Sequence, residues 1–483
     1  MHLVITLRDD GRVRSRRTGA ACSDPGAGCG WTWRGESSRV SPDCRPVTCP
    51  GVPVSSREVE ELEGAVGQQV QRTGWLEARR SSGRVHFLEL RTGTLTLPVV
   101  VASDAVDAET FERCRRLTRE SCVSVEGELR RDERSPIGFE LAARSVRLVA
   151  EADEWPLSGV DVDEELRVAQ RHLYLRGRRM RSLLLVRAAL SRAIRDWLDA
   201  QGFVAVDAPI FTPNVVEEKG SLFETAQLST MSYLSQSGQL YNEAAAMALG
   251  RVYSFGPTFR AERAPTRRHL SEFWMVEPEM AFVDLDGMMA LAESFVRDVV
   301  LSVAESCAED LRRLGRDPAD FDALRQPFER ISYERAVELA RAAGVDVRLG
   351  EDLSHHAERA IMQDRSVPVF VTGYPSAVKP FYMERDSADP ERVVCADLLA
   401  PEGYGEILGG GQRERDGAAL LQRLEAEGLP VDRFQWYLDL RRYGSAPHSG
   451  FGLGLERTLA WIARLDGMDE AIAFPRLPTR SSP

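Results

Sequence analysis

Lysine is almost absent from this sequence. Of its 62 basic side chains, only Lys219 and Lys379 are lysine, so arginine carries nearly all of the positive charge. Genome base composition accounts for this usage more simply than function does. The 74 acidic side chains bring the formal net charge to −12. That balance argues against a protein that binds polyanions over its whole surface, but it is compatible with local basic patches.

Long apolar runs and closely spaced cysteine pairs are also missing. No run of about 18 apolar residues occurs, so we expect no membrane-spanning helix. The N-terminal stretch MHLVITLRDDGRVRSRR puts a short apolar piece ahead of its charges, which is the reverse of a secretory signal peptide. None of the eight cysteines forms a CxxC pair, which disfavours a zinc site. We therefore expect a cytoplasmic protein with reduced thiols.

The chain of 483 residues is long enough for two or three domains. Residues 1–60 are of low complexity, and we expect them to form a disordered tail. Residues 61–152 carry five short strand-like segments with a helical stretch after the third, which predicts an all-β OB-fold barrel. Residues 153–175 are predicted to be a hinge, and a larger domain follows over residues 176–483.

The larger domain mixes helices and strands. Leu183 to Trp197 follow a helical period, and a strand ending at Pro209 comes next. Residues 284–365 are mostly helical in pattern. Strands are then predicted at VPVFVTGYP, KPFYM, VVCADLL and GEILGG, before a last helix at RTLAWIARL. This order predicts an α+β domain in which an antiparallel sheet is flanked by helices.

The stretch from Val252 to Phe282 predicts two strands joined by an arginine-rich loop. Gly256 and Pro257 mark a break in the first apolar run, and a second apolar run follows the loop. Such a loop would present several guanidinium groups to one site, where they can donate paired hydrogen bonds to phosphate oxygens. On composition alone, a basic surface hairpin explains the pattern equally well.

Several segments resemble one family, the class II aminoacyl-tRNA synthetases. FRAE followed by RRHLSEF is similar to their motif 2, and HLSEFWMVEPEMAF is most similar to the asparaginyl enzymes of the aspartate, asparagine and lysine subgroup. GSAPHSGFGLGLERTLAWI resembles motif 3, and GWLEARRSSGRVHFLELRTG resembles the anticodon-binding barrel of that subgroup. The resemblance implies that residues 61–152 meet the anticodon and that residues 176–483 are the catalytic domain. The apolar helix around Leu183–Trp197 and the strand ending at Pro209 resemble motif 1, which implies a homodimer.

The resemblance implies that ATP activates an amino acid to an aminoacyl-adenylate, which is then transferred to tRNA. Two catalytic arginines follow from it: Arg260 holds the α-phosphate and the substrate carboxylate, and Arg457 faces the γ-phosphate. The residues that it assigns to ATP binding are Arg260, Ala261, Glu262, Arg268, His269, Leu270, Phe273, Glu406, Gly454, Leu455, Glu456 and Arg457. Asp397 and Glu406 match the family's acids for Mg²⁺, a cation that prefers oxygen ligands.

The resemblance also assigns the amino acid and the nucleic acid. Its amino-acid-binding residues here are Glu217, Gln239, Glu243 and Arg413. Aspartyl enzymes carry lysine where Asn242 stands, and its replacement beside Glu243 favours a neutral amide, hence asparagine and tRNA-Asn. Arg79 and Phe87 are assigned to tRNA, with the Phe87 ring stacking on an anticodon base. An aromatic side chain in the core of the barrel is the other interpretation of Phe87.

Some positions depart from the family pattern and keep two alternatives open. Gly411, Arg415 and Asp416 stand where the asparaginyl pattern has serine, glutamate and arginine, and Thr92 replaces an aspartate of the barrel. One alternative is a synthetase paralog that activates asparagine, aspartate or a related amino acid for an acceptor other than tRNA. The other is a tRNA-binding protein with an inactive site.

Overall fold

The computed structural model describes residues 4–7, 13–16, 54–157, 163–217, 219–226, 231–261 and 269–482. Strands β1 (Val4–Leu7) and β2 (Val13–Arg16) pair antiparallel and belong to a unit of their own. Residues 54–60 of the predicted tail instead begin a helix, Val54–Gly64. The rest of the predicted tail lies outside the described residues, so for that part the prediction stays a prediction. Of the helices in the described part of the chain, none is both long and apolar enough to cross a membrane.

The remaining elements are numbered in chain order. The strands are β3 (Gln69–Ser82), β4 (Val85–Thr92), β5 (Leu95–Ala102), β6 (Cys122–Arg131), β7 (Phe139–Ala150), β8 (Val204–Ala205), β9 (Phe211–Thr212), β10 (Glu224–Thr225), β11 (Ser232–Leu234), β12 (Arg251–Phe259), β13 (Glu272–Ala281), β14 (Glu329–Ser332), β15 (Val369–Thr372), β16 (Cys395–Ala400), β17 (Gly405–Gln412) and β18 (His448–Gly454). The helices are α1 (Val54–Gly64), α2 (Ala108–Arg116), α3 (Glu164–Ala169), α4 (Arg171–Tyr174), α5 (Arg178–Ala200), α6 (Gln239–Leu249), α7 (Leu285–Ser306), α8 (Ala308–Arg313), α9 (Tyr333–Ala342), α10 (His355–Ile361), α11 (Gly417–Ala426), α12 (Gln435–Arg442) and α13 (Leu455–Ala463). Short 3₁₀ turns lie at Lys219–Ser221, Pro318–Arg325, Ser376–Val378 and Val431–Phe434.

Strands β3 to β7 close into a barrel in the order β3-β4-β5-β7-β6. Helix α2 lies between β5 and β6, so the predicted OB fold, with a helix after the third strand, is confirmed. Alternate side chains of β5, Leu97, Val99 and Val101, point into the barrel core and are buried. This period of two is what the pleat of a strand dictates when one face is dry.

The larger domain is built on an eight-stranded sheet in the order β14-β15-β16-β17-β18-β13-β12-β8. Its central pairs are antiparallel, and the outermost pairs β14/β15 and β12/β8 are parallel. The apolar side chains of α5, α7 and α13 pack with those of the central strands in one core. The predicted α+β architecture is confirmed.

The prediction of a strand at KPFYM is wrong. Residues 379–383 form an irregular segment after the turn Ser376–Val378. Pro380 has no N–H to donate to a neighbouring strand. The segment is held by the Arg423 side chain of α11, which donates to the carbonyl oxygens of Met383 at 2.9 Å, Lys379 at 3.0 Å and Ser376 at 3.2 Å.

The apolar stripe of α5 is buried within this chain. The side chains that carry the predicted helical period are 0–1% exposed within this chain: Leu183, Val186, Leu190, Ile194 and Trp197. They pack in the same core as α7, and the Trp197 indole N–H donates to Asp298 of that helix at 3.1 Å. The stripe is therefore core, and any partner must meet other residues.

Ion pairs of one buried carboxylate join the barrel to the catalytic domain. Glu77 of β3 pairs with Arg178 at 3.1 Å and with Arg181 at 2.6 Å, both in the first turn of α5. The Glu77 carboxylate is buried, whereas the Arg178 side chain is more than half exposed. Within the barrel, Arg91 donates to both oxygens of Glu120 at 2.8 and 2.6 Å. Losing both arginines of α5 would leave the buried Glu77 with its longer contact to Arg91 at 3.9 Å, so these pairs contribute to the docking of the two domains.

Candidate active site

The predicted hairpin is present. Strands β12 and β13 pair antiparallel from Arg251 opposite Met280 to Phe259 opposite Glu272. Arg260 follows the first strand directly, and its backbone N–H donates to the Ser271 carbonyl at 3.1 Å. The loop at 262–268 lies outside the described residues, so the roles predicted for Glu262 and Arg268 stay predictions.

A first cavity lies between the hairpin and motif 3. Its lining includes most of the residues that the family resemblance assigned to ATP binding: Arg260, His269, Leu270, Phe273, Glu406, Gly454, Glu456 and Arg457. Two predicted residues do not line it. Leu455 is buried in the apolar core at the start of α13, and Ala261 donates its backbone N–H to the Ser221 carbonyl at 2.8 Å.

The two arginines predicted to be catalytic both reach this cavity. The Arg260 guanidinium lies over the Phe273 ring, 5.2 Å from its centre, and its buried Nε has no hydrogen-bond partner among the residues that the structure describes. Arg457 donates to the backbone oxygen of Glu406 at 3.1 Å and to its carboxylate at 3.3 Å. A buried donor that lacks a protein acceptor fits an anionic ligand, because such groups are otherwise costly.

Glu456 lines the same cavity but is already engaged. Its carboxylate accepts from the Trp274 backbone N–H at 2.9 Å and pairs with Arg187 of α5 at 2.7 Å. Burial raises its pKa, and Arg187 acts in the opposite direction. This residue therefore ties motif 3 to β13 and α5 at the edge of the cavity.

The two predicted metal acids face each other across Gly409. A Cβ atom placed on this glycine would lie 2.8 Å from Glu406 Oε1 and 3.2 Å from Asp397 Oδ1, so the glycine leaves open a space that both carboxylates border. Burial raises the pKa of Asp397 to about 7, which the Lys379 ammonium opposes and the Glu406 carboxylate reinforces. Burial also acts to raise the pKa of Glu406, but Arg457 and Lys379 outweigh it, so this pKa is lowered.

These donors fit magnesium. In the described part of the chain, no group of three or more histidine, cysteine, aspartate or glutamate side chains is arranged to hold a metal. Two carboxylate oxygens beside an open space suit Mg²⁺, which keeps several waters and takes phosphate oxygens of a substrate as further ligands.

A second, larger cavity of about 650 Å³ adjoins the first. Of the residues predicted to bind the amino acid, Glu217, Gln239 and Arg413 line it. The Tyr382 hydroxyl donates to Glu217 at 3.0 Å. Glu243 does not line this cavity, because it is fully buried behind Gln239, whose amide donates to it at 2.5 Å. Tyr437, Arg441 and His448 occupy the remaining acceptor positions of Glu243.

Arg413 is fixed by a residue that the sequence analysis missed. Its guanidinium donates to both oxygens of Glu279 at 3.0 and 2.8 Å, and both side chains are buried. Burial raises the pKa of Glu279, against the lowering by Arg413. Glu277 and Glu279 are alternate residues of β13 and both line the larger cavity, so the period of two in VEPEM is the signal that would have found them.

On the barrel, Phe87 is exposed and not a core residue. It is 36% exposed on β4, directly opposite Arg80 of β3, whose guanidinium lies 5.1 Å from the ring centre. Arg79, the predicted basic residue, instead donates to the backbone oxygen of Arg115 at the end of α2. Neighbouring strand residues face opposite sides, so Arg80 and not Arg79 shares the Phe87 surface.

The comparison with known families agrees with this geometry. A family model described as tRNA synthetases class II (D, K and N) matches residues 163–478. The chain belongs to this family. A second model, described as an OB-fold nucleic acid binding domain, matches residues 70–149 of the same synthetase.

Individual relatives cover nearly the whole synthetase. The chain is 46% identical over 436 residues to an asparagine--tRNA ligase of Sorangium cellulosum (strain So ce56). This match covers 88% of this chain and 98% of the ligase. An asparagine--tRNA ligase of Desulforamulus reducens (strain ATCC BAA-1160 / DSM 100696 / MI-1) is 46% identical over 426 residues, or 88% and 99%. Among solved structures, the chain is similar to the crystal structure of asparaginyl-tRNA synthetase from Pyrococcus horikoshii complexed with asparaginyl-adenylate. The sequence identity is 41% and the TM-score is 0.84, and the match covers 87% of this chain and 97% of the Pyrococcus chain.

Proposed function

We propose that this synthetase activates asparagine with ATP and transfers it to tRNA-Asn. The observation that carries the amino acid is the pair of Arg413 and Glu279 in the larger cavity. A carboxamide offers its oxygen to the guanidinium and its N–H groups to the carboxylate. An aspartate side chain would bring a second negative charge toward Glu279, and unmade or repulsive polar contacts of this kind give large selectivity.

The neighbouring position supports the same choice. Asn242 is fully buried, and its amide donates to the Ser254 hydroxyl and the Glu277 carbonyl, both at 2.8 Å. It therefore offers no cation to a substrate carboxylate.

The other groups then act on ATP and on the backbone of the amino acid. Glu217 accepts from the ammonium of the substrate. Arg260 binds the carboxylate and the α-phosphate, where negative charge grows during the attack, and Arg457 binds the γ-phosphate. Asp397 and Glu406 would hold magnesium, which when bound offsets the charge of the phosphate oxygens. These assignments rest on the positions of the side chains around the two connected cavities.

Three of the departures from the family pattern, at Gly411, Arg415 and Asp416, lie in the catalytic domain. Asp416 caps α11 by accepting from the Ala418 and Ala419 backbone N–H groups, and Arg415 is half exposed beside Glu384. A Cβ atom at Gly411 would lie 2.7 Å from both Met383 Sδ and the Val394 oxygen, so this position requires glycine. These positions have structural explanations, which supports the synthetase over a paralog with another acceptor.

Amino-acid-dependent pyrophosphate exchange with each of the twenty amino acids tests the proposal. Asparagine should support exchange at micromolar enzyme and aspartate should not, because a carboxamide satisfies both Arg413 and Glu279 and a carboxylate does not. The same preparation should then charge tRNA-Asn. Exchange with asparagine without charging would favour the paralog, and no exchange with any amino acid would favour the inactive tRNA-binding protein.

We also propose a homodimer. With the α5 stripe buried, the apolar side chains left for a partner in this region are Val204, Ile210 and Phe211, which are 43–50% exposed. Light scattering should give the mass of two chains, and Phe211→Asp should shift the protein toward one chain because it places a charge among these side chains. Leu349→Asp, at a residue that is 59% exposed elsewhere, is the matched control and should leave the mass unchanged. A monomeric wild-type mass would contradict the proposal.

A further inference from the structure

Lys379 stands inside the larger cavity in a chain that uses arginine almost everywhere else. It lies on the irregular segment 379–383, and its side chain is 13% exposed. Its ammonium is 2.5 Å from Asp397 Oδ2 and 3.9 Å from the centre of the Tyr374 ring, which is itself buried. The roles proposed for Arg260 and Arg457 at the nucleotide do not explain why the cation at position 379 is a lysine.

Asp397 and Glu406, the two acids predicted to bind the metal, are alike in that the two oxygens of each carboxylate make different contacts. Asp397 gives Oδ2 to Lys379 and turns Oδ1 toward the space over Gly409. Glu406 gives Oε2 to Arg457 and turns Oε1 toward the same space. Each carboxylate thus has one oxygen held by a cation and one oxygen left for a shared ligand.

A guanidinium can take both oxygens of a carboxylate through two parallel hydrogen bonds, as Arg413 does with Glu279 and Arg91 with Glu120. It does not always do so, because Arg457 binds one oxygen of Glu406. An ammonium is a compact point charge that binds one oxygen here and rests on the Tyr374 ring. Lysine at this position therefore leaves Oδ1 of Asp397 open toward the space over Gly409.

We propose that Lys379 is a positioning residue that binds one oxygen of Asp397 and leaves the other for a divalent cation. The proposal rests on the magnesium site of the proposed function. Lys379 acts through Asp397 and does not itself bind the metal. Its single hydrogen bond sets the orientation of the carboxylate, as outer groups do for metal ligands in general.

Direct Mn²⁺ binding to the full chain tests this role without relying on activity. The free Mn²⁺ signal in electron paramagnetic resonance gives the affinity in the absence of nucleotide. We expect Lys379→Met to weaken Mn²⁺ binding by about tenfold, because Asp397 loses the group that orients its carboxylate. Lys379→Arg keeps a cation beside Asp397 and should bind Mn²⁺ more tightly than Lys379→Met does. Arg330→Met removes an exposed cation that pairs with Asp286 and should leave the affinity unchanged.

The methionine variant decides the outcome, and the charge-preserving variant controls for folding. Lys379→Arg keeps the net charge, and the melting temperatures of both variants show whether they fold. Wild-type or tighter Mn²⁺ binding in folded Lys379→Met would overturn the positioning role and leave a cation that merely competes with the metal. A wild-type protein that binds no Mn²⁺ would instead overturn the magnesium assignment, and the role of Lys379 with it.

Discussion

Arg457→Ala should lower asparagine-dependent pyrophosphate exchange by about 10²-fold or more while the protein stays folded. The guanidinium reaches the nucleotide cavity from α13, where it also contacts Glu406. Its positive charge is already in place when the leaving pyrophosphate gains negative charge, so no reorganisation is needed during the reaction. Arg260→Ala should have an effect of the same order, because the buried Nε of Arg260, which has no hydrogen-bond partner among the described residues, is available to an anion.

Two controls separate the loss of chemistry from the loss of folding. Arg325→Ala removes a guanidinium that is 68% exposed and should change neither exchange nor melting temperature. Arg457→Lys keeps the charge but loses the fork, and should fall between the wild type and the alanine variant. Near-normal exchange by folded Arg457→Ala would contradict the assignment of the ATP site.

Phe87→Ala should weaken tRNA-Asn charging by about ten- to a hundredfold and leave pyrophosphate exchange intact. The ring is exposed on the barrel, and Arg80 extends the flat surface on which a base can stack. Exchange needs only the cavities of the catalytic domain, so the two activities separate. The measurements are the kcat/KM of charging and the exchange rate, taken on the same preparation.

Phe87→Tyr keeps an aromatic face and should charge nearly as well as the wild type. Arg80→Ala should reduce charging to a smaller extent, since it removes the cation and leaves the ring. Equal charging by Phe87→Ala and the wild type would mean that this face of the barrel does not meet the anticodon.

Local patterns were sufficient for much of the fold. The five strands of the barrel follow from period-two alternation, and the β12–β13 hairpin follows from two apolar runs around a polar loop. KPFYM was mispredicted because its apolar composition is that of a strand, whereas three carbonyl bonds from Arg423, distant in sequence, hold it in an irregular form. The homodimer was inferred from the resemblance of α5 to motif 1, because a helical period shows that a face is buried but not what covers it.

The candidate site was predicted through motifs, and its misses are long-range pairs. Lys379 meets Asp397 because the irregular segment lies beside β16, and Arg413 meets Glu279 because β17 and β13 belong to one sheet. Glu243 was placed against the substrate because its neighbour Asn242 marks specificity, but one helical step turns its side chain to Arg441 and His448. No local pattern specifies such partners.

The ion pairs between the barrel and α5 have a consequence for the nucleic acid. Sliding Glu77 past Arg178 and Arg181 would break both ion pairs of a buried carboxylate, so we expect the separation between the Phe87 surface and the nucleotide cavity to be set before any RNA arrives. If the Phe87 surface meets the anticodon as proposed, an RNA has to bridge that separation with its own rigid length. We therefore expect this synthetase to test the span from anticodon to acceptor end as well as the bases, so that an RNA of the right sequence but the wrong length reaches only one of the two sites.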